Sequence, residues 1–78
     1  MKRDRVRSMV FNYELGRYFG TQRRMVETAL ATLKPEHRRE LELAHFGGNR
    51  ADVNWAIERA AVDELGEALE TLGPAQRR

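Results

Sequence analysis

Seventy-eight residues leave room for one domain and no second core. The chain has no cysteine, which excludes disulfides and thiolate metal sites and leaves the redox compartment unread. A single core of this size supplies roughly 3–5 kcal/mol, and small domains commonly add disulfides, metal or oligomerisation, so oligomerisation is the leading device left.

The net charge of +2 conceals a polarity. Residues 1–39 carry ten Lys/Arg against four Asp/Glu, and residues 40–78 carry four against eight, giving +6 and −4. Twelve of the fourteen basic residues are arginine, which suits planar guanidinium contacts and equally suits a GC-rich genome. No apolar run approaches the ~18 residues of a membrane span, and Met9-Val10-Phe11 is too short for a signal-peptide core. The expectation is a cytoplasmic protein with no membrane partner.

Met1 to Arg7 holds four basic residues and one acid, and reads as a flexible basic arm. From Ser8, the residues Phe11, Leu15 and Tyr18 have helical spacing, with Met9, Tyr13 and Phe19 alongside. The alternation Met9-Phe11-Tyr13-Leu15 also suits a strand, but no second strand candidate exists to pair with it, so the pattern predicts a helix over 8–19. In a chain with few large residues, Phe11, Leu15 and Phe19 are expected in the core.

Gly20-Thr21 offers a stop and a fresh N-cap, followed by a helix over 21–33 with Met25, Val26, Ala29, Leu30 and Leu33 on one side. The apolar register also runs through Gly20, so one continuous helix competes with two. Lys34-Pro35 ends that segment, and Pro35 and Glu36 suit the first turn of a helix over 36–46. Gly47-Gly48 breaks the chain, and Asn49 with Asp52 resembles a capping box.

The longest element follows, over 50–72, with Gly73-Pro74 as its expected stop. Val53, Ile57, Ala61, Leu65 and Leu72 form one apolar line, and Trp55, Val62 and Leu69 form a second beside it. With Ala60 and Ala68 they cover roughly two-thirds of the circumference, well beyond the ~100° stripe of an ordinary surface helix. Such a helix needs neighbours on two sides, and one of them is expected to be a second copy. Gly66 inside it costs about 1 kcal/mol relative to alanine and should lie on the exposed arc or beneath a close neighbour. Residues 75–78 read as a tail.

Candidate chemistry is sparse. Gly47-Gly48 lacks the Lys-Ser/Thr of a phosphate loop, and Ser8 is the sole serine, so no nucleophile set is in view. Glu42-Leu-Ala-His45 has the i, i+3 spacing used by carboxylate-bridged metal bundles, but those need two such pairs and further glutamates, with Glu64 or Glu67 as possible extra ligands in a dimer. The favoured reading is a partly exposed His45, with no metal and no cofactor. Arg3, Arg5, Arg7, Arg17, Arg23 and Arg24, with tyrosines between them, are candidate contacts to nucleic acid or to an acidic partner.

The stretch Leu30-Ala-Thr-Leu-Lys-Pro-Glu-His-Arg-Arg-Glu-Leu-Glu-Leu-Ala-His-Phe-Gly-Gly48 resembles the opening of region 4 of bacterial sigma factors. That resemblance covers a quarter of the chain and implies a link to transcription. The following helix departs from the pattern: it has an acidic face and no turn glycine about ten residues after Gly48. No DNA-reading residues carry over.

The sequence thus predicts an all-α domain, a small three- or four-helix bundle over 1–78 with a long C-terminal helix. It predicts a homodimer joined through Trp55, Ile57, Val62, Leu65 and Leu69. The predicted function is a non-enzymatic regulator that binds a protein partner, with nucleic-acid binding by the basic half as the alternative.

Overall fold

A computed structural model describes residues 1–76, with side chains for residues 1–72. Four α-helices and one 3₁₀ turn account for its regular structure: α1 (Arg3–Glu14), α2 (Gly20–Ala31), α3 (Pro35–His45), the turn Arg50–Asp52, and α4 (Trp55–Gln76). The all-α reading holds, with no strand among the described residues. Residues 77 and 78, half of the expected tail, lie outside them.

α4 is the axis of the bundle. At 1.5 Å per residue its 22 residues span about 33 Å, most of the 41 Å long dimension of the molecule. α1, α2 and α3 each pack on α4 more extensively than on one another. Ion pairs joining Met1 to Glu70, Arg3 to Asp63 and Arg7 to Glu58 set α1 antiparallel to it. The shared core contains Val6 and Val10 from α1, Val26, Ala29, Leu30 and Leu33 from α2 and its end, Leu41 from α3, and Ala61, Val62, Leu65 and Leu69 from α4.

Three features correct the expected architecture. α1 begins at Arg3 rather than Ser8, so residues 3–7 of the expected basic arm form about the first turn and a half of a docked helix. Its buried face is Val6 and Val10, with Met9 and Tyr13 beside them, while Phe11, Leu15 and Phe19 are 55%, 47% and 75% exposed. Both faces have helical spacing. The choice between them is made by α4, where Gly66 lets the helices approach closely enough for a Cβ built at position 66 to lie 3.2 Å from Val6 Cγ2. A small β-branched side chain fits there; a phenyl ring is too large. Gly66 therefore sits beneath a close neighbour.

Helices α1 and α2 are separate. Gly16 adopts φ 74°, and the N–H groups of Gly16 and Arg17 donate to the carbonyls of Tyr13 and Asn12 at 3.0 Å each. This is a left-handed helix stop that satisfies the last carbonyls and favours glycine. Gly20, at φ 59°, completes the turn, and the residue preceding α2 is Phe19 rather than Thr21.

The region before α4 is also divided. Asn49 Oδ1 accepts from Ala51 N–H at 3.0 Å and caps only the 3₁₀ turn. Asn54 Oδ1 then accepts from the N–H groups of Ala56 and Ile57 at 3.1 and 3.2 Å, capping α4 itself. At its far end α4 continues past Gly73-Pro74 to Gln76; proline in a last turn forfeits one backbone hydrogen bond but does not end the helix outright.

The single chain covers most of the apolar surface that suggested a dimer. Val62, Leu65 and Leu69 are buried among α1, α2 and α3, and Ile57 is half-buried. Three helices of the same chain pack on α4. Val62, Leu65 and Leu69 are therefore not available as interface residues, and Trp55, 45% exposed, is the one large side chain of that set left at the surface.

Candidate functional site

The first turns of α4 carry a charge into the core. Glu58 precedes Val62 by four residues and Leu65 by seven, which places it on the buried face. Its side chain is fully buried. An unpaired carboxylate there would cost several kcal/mol, and three hydrogen bonds prevent it. Arg7 grips Glu58 with both arms of its fork, Nη2 donating to Oε1 at 2.8 Å and Nε to Oε2 at 3.1 Å. His45, at the end of α3, approaches Oε2 with Nε2 at 2.8 Å. Because the carboxylate is an acceptor, Nε2 carries the shared proton.

Burial pushes the Glu58 carboxyl up, but the hydrogen bonds from Arg7 and His45 outweigh it and hold the group below its ordinary value of 4.5. The same pairing raises the Arg7 guanidinium further above its ordinary range. The cluster ties α1, α3 and α4 together at one point, and no buried side-chain nitrogen or oxygen among the described residues lacks a partner. Sequence reasoning missed Glu58 altogether. The signal was present, since a lone acid at a heptad position of an apolar stripe demands a cationic partner.

Beside this cluster, α1 and the start of α4 enclose an open groove of about 390 Å³ lined by Arg3, Arg7, Trp55, Ala56 and Arg59. Arg3 is held on its wall by a bidentate pair with Asp63 at 2.9 and 3.0 Å. That contact lowers the Asp63 carboxyl and raises the guanidinium. Arg50, from the 3₁₀ turn, lies 5.2 Å from the centre of the Trp55 ring in a cation–π contact. Neither Arg50 nor Arg59 has a carboxylate within ion-pair distance among the described residues.

The six arginines singled out in the sequence do not share one surface. Arg3 and Arg7 line the groove, but Arg17 lies past the C-terminal end of α1, where its Nη1 donates to Asn12 Oδ1 at 3.1 Å. Arg23 pairs with Glu27 at 3.3 Å and borders a second cavity of about 370 Å³ with Tyr13, Tyr18 and Phe46. Arg5 and Arg24 are exposed and form no side-chain ion pair among the described residues.

The Glu42–His45 pair is also divided. Glu42 faces Arg38 at 3.9 Å while His45 turns to Glu58. Glu64 is engaged by the Lys34 N–H at 3.0 Å and approached by His37 Nδ1 at 3.2 Å. Among the described residues no three His, Asp or Glu side chains gather as a metal site would require.

No family model, curated protein or solved structure matches this chain. Its function must be argued from the surfaces themselves.

Proposed function

We propose that this protein is a small non-enzymatic interaction module that docks on a protein partner and modulates it. The observation that carries the reading is the placement of Phe11, Leu15 and Phe19. They include two of the three phenylalanines in the chain, and they are exposed although the core beneath them is closed. Phe11 and Leu15 share the outer face of α1 at i, i+4, and Phe19 follows on the turn into α2. A domain this small has few large apolar residues, and leaving them in water favours a surface that another protein covers.

Magnitude argues against these three side chains building a stable homodimer alone. They offer on the order of 300 Å², where a standard interface buries about 800 Å² on each partner. A larger or grooved partner that supplies most of the contact area fits better. The likeness of residues 30–48 to sigma-factor region 4 makes the transcription apparatus the first partner to screen.

A photo-crosslinking residue at position 11 or 19, introduced in the native host, tests this. The expected result is one discrete crosslinked protein from both positions and none from the same residue at Glu67, an exposed position on α4. Diffuse labelling from all three positions would refute the proposal.

A further inference from the structure

We propose that the groove between α1 and the first turns of α4 binds single-stranded nucleic acid, with a base on Trp55 and phosphates on Arg59 and Arg50. The residues lining this groove do not include Phe11, Leu15 or Phe19, so the inference rests on different side chains from the protein-docking role.

Three observations point to that ligand. The first is the pairing of a half-exposed indole with guanidiniums. Every unit of a strand offers a base with a π-face and a phosphate with a negative charge, whereas an acidic peptide offers a π-face only where it carries an aromatic side chain. Arg50 lies over the Trp55 ring, next to the groove rather than in its lining.

The second is the division of labour among the arginines. Arg3 and Arg7 spend Nε and Nη2 on Asp63 and Glu58. Their charges are thereby balanced and their planes fixed, with the Nη1 edge left to donate. Arg50 and Arg59 have no carboxylate within ion-pair distance among the described residues; Arg59 acts on Asp63 only through space, so these two guanidiniums keep all their donors for a ligand.

The third is shape. The groove is open, and its Trp55 wall is 45% exposed. A small-molecule site encloses most of its ligand. An open groove gains affinity instead from successive units of a polymer, which selects an oligonucleotide over a free nucleotide. The N-terminus of α4 is not the phosphate site, because Asn54 already occupies the N–H groups of Ala56 and Ile57.

Trp55 is the sole tryptophan, so its emission reports the groove directly. Titration with a short mixed-sequence single-stranded oligonucleotide at low ionic strength should quench it saturably. With two phosphates contacted, by Arg50 and Arg59, the salt slope should be about −1.4, so a fourfold rise in salt weakens binding about sevenfold. Arg59→Gln, at an exposed residue outside the core, should weaken binding and reduce the slope by about 0.7. Trp55→Leu, followed by anisotropy of a labelled oligonucleotide, should weaken it about fivefold or more.

Arg24→Gln, outside the groove, should change binding by less than Arg59→Gln does. Four results would each overturn the proposal: no saturable quenching at low salt, equal losses from Arg24→Gln and Arg59→Gln, a nucleoside monophosphate binding as tightly as the oligonucleotide, or an acidic peptide doing so.

Discussion

Glu58→Gln is the substitution that most directly tests how this bundle is held. The amide keeps the volume of the carboxylate but not its charge, and its NH₂ must face a donor from Arg7 or His45. Hydrogen bonds to a charged group are worth about 1.5–3 kcal/mol each, and three converge here. Removing one partner of a buried pair costs about 3–5 kcal/mol. The Arg7 side chain is 35% exposed and recovers part of its hydration, which lowers the expected cost to about 2–4 kcal/mol.

A core of this size supplies roughly 3–5 kcal/mol, so the substitution should remove most of the stability and lower Tm by roughly 10–25 °C. Urea unfolding followed by far-UV circular dichroism and by Trp55 emission measures this. The Arg7→Ala, Glu58→Gln double mutant should be less destabilised than the sum of the two single changes, because both delete the same contact. A loss below about 1 kcal/mol, or strict additivity, would refute the assignment of this cluster as a fastener. Replacing the pair by apolar residues, Arg7→Met with Glu58→Leu, should recover most of the loss, since buried ion pairs seldom outperform hydrophobic packing of similar volume.

Other outcomes follow from the same geometry. Glu58 and Asp63 titrate below their ordinary values. The stability they contribute is therefore complete above the ordinary carboxylate range and is lost as pH falls through their folded values; an acid titration of wild type against Glu58→Gln should show a shallower slope in the variant. Gly48→Ala should cost about 1–3 kcal/mol, because the new Cβ would lie 2.6 Å from the Leu43 Cα and 2.8 Å from its carbonyl oxygen. Gly47→Asn, at φ 82° with open space around it, should cost less by thermal melt than the roughly 1–2 kcal/mol expected of Gly47→Ala, since asparagine tolerates the left-handed conformation better. Leu65→Ala should cost about 2–5 kcal/mol, whereas Phe11→Ser, at an exposed position, should change stability by less than about 0.5 kcal/mol. The reverse order in urea melts would mean that α1 docks through its other face.

Local signals determined the helical class, the breaks at Lys34-Pro35 and Gly47-Gly48, and the central role of the last helix, because apolar periodicity and backbone-restricting residues act over a few positions. They do not decide which of two equally spaced faces on α1 turns inward. That choice rests on the close approach of Val6 to Gly66, sixty residues away, and on the ion pairs Arg3–Asp63 and Arg7–Glu58. The same long-range packing moved Val62, Leu65 and Leu69 from an expected partner surface into the core and left Phe11, Leu15 and Phe19 outside. It also brought Arg50, Arg59 and Trp55 from the acidic half of the chain beside Arg3 and Arg7 from the basic half. Spacing along a helix tells which side chains share a side; only the shape and charge of the surface opposite tells which side is buried.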